Sequence, residues 1–195
     1  MEQDQVKVYT IYAGINGAGK STIYETKKRP NENRVNSDEI LVANGGDWRN
    51  MKDQTRAGME ALRRIDYFIN NGLSFNQETT LAGRFLFGKI KKAKEQDFEI
   101  KLFYIGVESA DLAIERVKNR VQKGGHGIEE ATIRKRYGVS LSMLKEVLPL
   151  CDIAVIYDNT KQYAMIAGFH DGNCTLYSRN CEWFNRTMPE VLKME

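Results

Sequence analysis

The segment AGINGAGKSTIYE, residues 13–25, follows directly on the β-rich run VKVYTIY at residues 6–12. Glycines interrupt a strand there, and a lysine with two hydroxyl residues opens a helix. From Gly14 to Ser21 every position of G-x-x-x-x-G-K-[ST] is filled. Glycine lets the backbone wrap closely enough for its N–H groups to face phosphate oxygens. The helix starting near Lys20 adds the positive end of its dipole. In such a loop the lysine neutralises the β- and γ-phosphates, and the serine hydroxyl ligates Mg²⁺. Gly14, Asn16, Gly17, Ala18, Gly19, Lys20, Ser21 and Thr22 are thus expected to seat a nucleoside triphosphate. The alternative, a turn that merely joins strand to helix, leaves the complete motif unexplained. No N-K-x-D run of the guanine-binding type occurs, so ATP is the expected nucleotide.

Outward from the loop, strand-like and helix-like segments alternate to about residue 160. A helix over Lys20–Lys28 must stop near Pro30. Arg34-Val35-Asn36 reads as a short extended piece, and Ser37 as the N-cap of a helix over SDEILVA. Met51 to Asn70 keeps helical spacing at Gly58, Leu62, Ile65 and Ile69, with Gly72 just past its end. Leu73–Glu78 is a brief strand, Leu81–Lys94 a helix, and FEIKLFYIGV (98–107) the clearest strand in mid-chain. Ser109 opens a helix whose apolar face is Ala110, Ile114, Val117 and Val121. Arg116, Arg120 and Lys123 share another face of it, and Gly124-Gly125-His126-Gly127 breaks it. A further helix over Glu129–Leu148 turns Ile133, Tyr137, Leu141 and Leu144 inward, and Pro149 ends it. IAVIY (153–157) is a buried strand, after which Asp158-Asn159-Thr160 lies where an adenine would meet the chain; Asn159 joins the expected nucleotide seat.

This alternation predicts an α/β fold with a parallel sheet covered by helices on both faces. Past Thr160 the pattern changes to two strands around Asp171-Gly172-Asn173, a hairpin, followed by a tail that packs on or trims the domain. We expect one domain over residues 1–195, with a core at about 6–160 and the hairpin and tail over 161–195.

Composition narrows the function classes. Hydrophobic content of 42% and charged content of 28% suit a soluble globular protein. The start, MEQDQVKV, is polar and acidic where a signal peptide would be basic and then apolar, and no apolar run approaches the ~20 residues of a membrane span. A cytoplasmic location is expected, with no membrane partner. The net charge of +3 is too small to argue for nucleic acid. Cys151, Cys174 and Cys181 show neither C-x-x-C spacing nor clustering with His126 or His170, which fits reduced thiols.

A phosphate-binding loop serves both phosphotransferases and nucleotide-driven switches. Phosphoryl transfer requires cations closing over the moving group. Arg116, Arg120, Lys123, Arg134 and Arg136 flank the glycine break as they would in a hinged lid, although any one of them alone fits a solvated helix face. Asp38, in a first helical turn after an extended segment, suits a general base for the acceptor hydroxyl; complementing the helix dipole is its plainer role. Glu78 ends a strand where a carboxylate can steer Mg²⁺, or it is an ordinary strand-end acid. Thr79 and Thr80 bind acceptor hydroxyls or cap the next helix. A switch that only hydrolyses ATP, and a kinase of nucleic-acid ends, remain the alternatives.

The set AGINGAGKST, VNSDEI, ETTLAGR, ERVKNRVQKGGHGI, EEATIRKRY and YDNT resembles the zeta-toxin family in order and spacing over roughly residues 6–160. The resemblance implies a P-loop kinase fold near the shikimate and adenylate kinases, with a parallel five-stranded sheet. It implies Mg-ATP-dependent phosphorylation of a small-molecule hydroxyl, on a nucleotide sugar such as UDP-N-acetylglucosamine, and an antitoxin protein as partner. By position, Lys20 and Ser21 match the family's phosphate and magnesium residues and Asp38 its general base. Glu78 and Thr80 match acceptor-binding positions. Arg116 and Arg120 resemble lid arginines, with Arg134 or Arg136 as a further transition-state arginine.

Overall fold

The computed structural model describes residues 6–193. The first five residues and the last two, included in the expectations above, therefore lie outside the described residues. Strand β1 (Val8–Ala13) runs through the phosphate-loop segment into α1 (Lys20–Lys27). Then come β2 (Asn33–Asn36), α2 (Ser37–Ala43), α3 (Met51–Asn70), β3 (Phe75–Thr79), α4 (Arg84–Glu95) and β4 (Glu99–Gly106). The chain continues as α5 (Ala110–Gln122), α6 (Glu130–Val147), β5 (Ile153–Asp158), β6 (Ala164–His170), β7 (Asn173–Leu176) and α7 (Glu182–Thr187).

The strands form one sheet in the order β2-β3-β1-β4-β5-β6-β7. Its first five members are parallel, as expected, and the hairpin adds two antiparallel strands to the same sheet rather than standing away from it. Parallel register brings Asn36 opposite Glu78, and Tyr12 opposite Glu78 and Phe103. Strand order reverses around β1, so its carboxyl end is a switch point where ligands of open α/β sheets bind. The ends of β2, β3 and β1 meet there.

Two apolar clusters cover the sheet. One holds Tyr9 stacked on Phe75, with Ile65, Ile69, Leu86, Ile90 and Phe98. The other packs Ile15, Ala18 and Ile23 against Ala113, Ile114, Val117 and Ile133, under the phosphate loop.

Several local expectations shift. Asn36, not Ser37, caps α2: its side chain accepts from the backbone N–H groups of Asp38 and Glu39. On α3 the buried stripe is Ala57, Ala61, Ile65 and Ile69, one residue out of phase with Gly58 and Leu62, because small side chains let the helix lie close on the sheet. On α5 the buried residues are Ala113, Ile114 and Val117, without Ala110 or Val121. Helix α4 starts at Arg84 rather than Leu81, which is buried with φ at +53°. The hairpin turn is Asp171-Gly172, both at positive φ, as a two-residue turn between twisted strands requires. The three cysteines are free, and burial pushes the Cys151 thiol up to about 12 and the Cys181 thiol up to about 11. No helix among the described residues is long and apolar enough to cross a membrane.

The tail does more than trim the domain. Trp183 on α7 is buried to 2% exposure and lies against Gly106, where a Cβ would stand 2.2 Å from its ring. Its indole Nε1 donates to Asp158 Oδ1 at 2.8 Å, and the same oxygen accepts from the Thr160 backbone at 3.2 Å. The tail thereby braces the loop after β5. Trp183→Ala should lower unfolding stability by about 3–5 kcal/mol, the range for emptying a buried aromatic site. Urea unfolding of the two proteins checks this.

Candidate active site

The loop between β1 and α1 is shaped by close packing as much as by glycine's freedom. Gly14 adopts φ +139°, and a Cβ there would lie 2.1 Å from the Ile105 carbonyl oxygen. Gly19 adopts φ +100° at the start of α1, and a Cβ there would meet the Tyr163 hydroxyl at 2.1 Å. That hydroxyl donates to the Gly19 carbonyl, while Asn159 Nδ2 donates to the Ala18 carbonyl at 2.8 Å. Asn159 thus reaches the phosphate loop, with its backbone N–H held by Gly106 at 2.9 Å. Sequence reasoning does not find Tyr163: it lies just past the last motif, where nothing marks a lone tyrosine.

Lys20 is 8% exposed, and its Nζ donates back to the Ile15 carbonyl at 3.1 Å. Burial pushes the ammonium's pKa down; Glu78 and Asp38 push it up, and Arg120 and Arg136 push it further down. Four charged side chains therefore surround one lysine. Glu78 is fixed on both oxygens. Oε1 accepts from Ser21 Oγ at 2.9 Å, and Oε2 accepts from Arg34 at 2.8 Å and from Asn36 Nδ2 at 3.3 Å. Arg34 also donates to Glu39 and to Asn76 Oδ1, and its guanidinium lies 3.5 Å above the Tyr24 ring. Sequence reasoning misses Arg34, since its partner Glu78 lies 44 residues away and only strand register joins them.

Lys20, Ser21 and Asn16 line a cleft of about 480 Å³, together with Asp38, Glu78, Thr80, Arg120 and Arg136. Trp48, Met59, Leu62 and Phe85 add apolar lining to the same cleft. The Asp38 carboxylate is exposed to this space, and its backbone N–H is capped by Asn36 at 2.9 Å. Arg136 NH1 donates to Asn16 Oδ1 at 3.1 Å; burial pushes its pKa down, against the pull of Asp38. Thr79 and Thr80 both line the cleft, and Thr79 Oγ1 also accepts from the Leu81 N–H at 3.1 Å in the turn.

The basic residues separate. Arg120 lines the cleft, and its Nε donates to the His126 carbonyl at 2.7 Å. Arg116 does not line the cleft: it donates to the Thr160 carbonyl at 3.0 Å and lies in an outer groove with Asn119 and Lys123, which Arg120 borders as well. Four residues of helix advance about 6 Å, enough to send side chains on one face to different places. Arg134, the catalytic arginine expected on α6, pairs instead with Asp111 at 2.6 Å on the surface. Two residues on, Arg136 takes the place in the cleft.

No family model matches the chain. An uncharacterised protein of Haemophilus influenzae is 32% identical over 127 residues, which are 65% of this chain and 90% of that one. Among solved structures, a chain of the AvrRxo1-ORF1:-ORF2 complex crystallised with ATP superposes at TM-score 0.69 and 16% identity, over 95% of this chain. The match covers 64% of that chain, so the present chain spans a little under two thirds of its length. A chain of the PezAT chromosomal toxin–antitoxin system of Streptococcus pneumoniae matches at TM-score 0.59 and 15% identity, over 96% of this chain and 84% of that one. A chain of the Pnkp1/Rnl/Hen1 RNA repair complex matches at TM-score 0.55 and 17% identity, over 74% of this chain and 48% of that one. These likenesses agree with the P-loop kinase fold expected from the sequence.

The Arg34–Glu78 pair gives a direct test of the site's rigidity, because both side chains are close to nine-tenths buried. Arg34→Met should cost about 3 kcal/mol, the low end for leaving a buried charge without its partner. Denaturant unfolding measures it, with Arg63→Met, on an exposed pair, as the near-neutral control.

Proposed function

The chain belongs to the family of the uncharacterised Haemophilus influenzae protein, and we propose that it is a Mg-ATP-dependent kinase that phosphorylates a hydroxyl of a small molecule. The observation that carries this reading is the meeting of Lys20, Asp38, Arg120 and Arg136 in one cleft of about 480 Å³ whose lining also includes the apolar Trp48, Met59, Leu62 and Phe85. A switch needs the loop alone. A kinase needs room for an acceptor beside a base and cations, and this cleft has both.

The residues fit the nucleotide and its metal. The buried Lys20 ammonium has three donors, of which the Ile15 carbonyl takes one, and phosphate oxygens suit the others. Ser21 Oγ and the Glu78 carboxylate, 2.9 Å apart, are oxygen donors of the kind Mg²⁺ prefers, and Mg²⁺ held there supplies neutralisation of β- and γ-phosphate charge. Asp38 accepts the acceptor's proton as its oxygen attacks. Arg120 and Arg136 offset the charge that spreads over the moving phosphoryl group. Arg116 and Asn159 border the loop after β5 and so belong to the nucleoside side.

For the acceptor we propose a nucleotide sugar of the UDP-N-acetylglucosamine type, on the resemblance of the ETTLAGR and VNSDEI segments to the zeta-toxin family. An antitoxin protein is the partner this reading implies. PezAT is a toxin–antitoxin system, and AvrRxo1-ORF1 was crystallised with ORF2; both are supporting analogies. The reading treats residues 1–195 as one kinase domain working in the cytoplasm.

With γ-labelled ATP and a metabolite extract, Asp38→Asn should keep ATP binding and cut transfer by roughly 100-fold or more, the scale of general-base catalysis. Transfer at the wild-type rate removes Asp38 from the mechanism. Arg120→Ala should lower kcat by an amount equivalent to ~2.7–4 kcal/mol while hardly changing the dissociation constant for ATP. Arg134→Ala, on the outer surface, should change neither.

A further inference from the structure

Two side chains from outside the glycine motif act on the backbone of the phosphate loop. Gly19 is left-handed, at φ +100° and ψ +22°, and Lys20 opens the right-handed helix α1. That succession of conformations turns consecutive N–H groups, here those of Gly19, Lys20 and Ser21, into one concave anion-binding nest. Among the described residues none of these three N–H groups has a partner. Their neighbours do: the Ala18 N–H donates to the Ile15 carbonyl at 3.1 Å, and the Thr22 N–H to the Gly19 carbonyl at 3.1 Å.

The carbonyls on the reverse of this nest are the ones held from outside. Asn159 Nδ2 donates to the Ala18 oxygen at 2.8 Å, and the Tyr163 hydroxyl donates to the Gly19 oxygen. In a planar trans peptide the C=O and the following N–H point opposite ways. Anchoring the Ala18 oxygen therefore directs the Gly19 N–H, and anchoring the Gly19 oxygen directs the Lys20 N–H. Glycine alone would leave these peptides free to turn over, which would offer a phosphate a carbonyl oxygen in place of a donor. Both side chains also close on the glycine itself: a Cβ at Gly19 would lie 2.1 Å from the Tyr163 hydroxyl and 2.6 Å from Asn159 Nδ2. Asn159 has its own N–H bonded to the Gly106 carbonyl at 2.9 Å, so the anchor is fixed to β4. We propose that Asn159 and Tyr163 are positioning residues of the phosphate seat, which lock the two peptides around Gly19 with their N–H groups toward a bound polyphosphate and so set the seat before the ligand arrives. This rests on the nucleotide reading of the loop, and it makes the two residues act through the backbone on the phosphates, whichever nucleoside these carry.

Inorganic tripolyphosphate separates this role from a direct contact with the nucleoside, because it carries phosphates without base or ribose. Mg·ADP and Mg·tripolyphosphate should be titrated calorimetrically into the full-length wild type, Tyr163→Phe and Asn159→Ala. Tyr163→Phe keeps the ring and removes only the donor. Each variant should weaken both ligands by the same factor, about fivefold, within the range for one hydrogen bond. In ¹H–¹⁵N spectra of ligand-free Tyr163→Phe, the Gly19 and Lys20 amides should move while that of Gly172, in the distant hairpin turn, stays in place. Unequal loss for the two ligands overturns the proposal, and loss for ADP alone marks a nucleoside contact instead. Unchanged binding of both ligands overturns it too, as do Gly19 and Lys20 amides that do not move. A wild-type protein that takes ADP but not tripolyphosphate contradicts a preset seat. All of these outcomes leave the kinase reading standing. If the wild type binds neither ligand, this proposal and the kinase reading fall together.

Discussion

A lysine ammonium almost out of water, at the start of the helix that follows the central strand, sets the terms for everything near it. Burial alone would favour the neutral amine at Lys20. Glu78 and Asp38 stand close and push the other way, Glu78 from within β3 and Asp38 from the first turn of the helix that follows β2. Glu78 in turn is fixed by Arg34, which reaches it from β2 across the register of the sheet. The order of strands β2, β3 and β1 is thus an electrostatic arrangement as well as a packing one.

The second consequence concerns the far side of β1. Strands β4 and β5 bring Gly106 and Asp158 beside the phosphate loop, and Asn159 and Tyr163 hold its last carbonyls. Asp158 is itself held by Trp183 from the tail. Residues after 160 thereby contribute to the rigidity of a loop that begins at Gly14, although they carry no recognisable motif.

Much of this is legible in the sequence because it is local. A glycine loop between a strand and a helix, periodic apolar stripes and a two-residue turn each depend on neighbours within a few residues. The five parallel strands and the phosphate seat follow from such signals. What stays hidden depends on rotation and distance. Arg134 and Arg136 differ by about 200° around α6, so only one can face the cleft, and a weakly amphipathic helix does not say which. The one-residue phase of α3 turns on whether alanines or larger residues lie against the sheet. Arg34 and Tyr163 act on partners 44 and 144 residues away, and no spacing rule links them.

The central claim is that the cleft moves a phosphoryl group from ATP to a hydroxyl. ³¹P NMR of the protein with Mg-ATP and a metabolite extract tests this most directly, because it distinguishes the fates of the γ-phosphate. The account predicts a growing phosphomonoester resonance as ADP appears, absent with Lys20→Ala. ADP accompanied only by inorganic phosphate, across the whole extract, would contradict it.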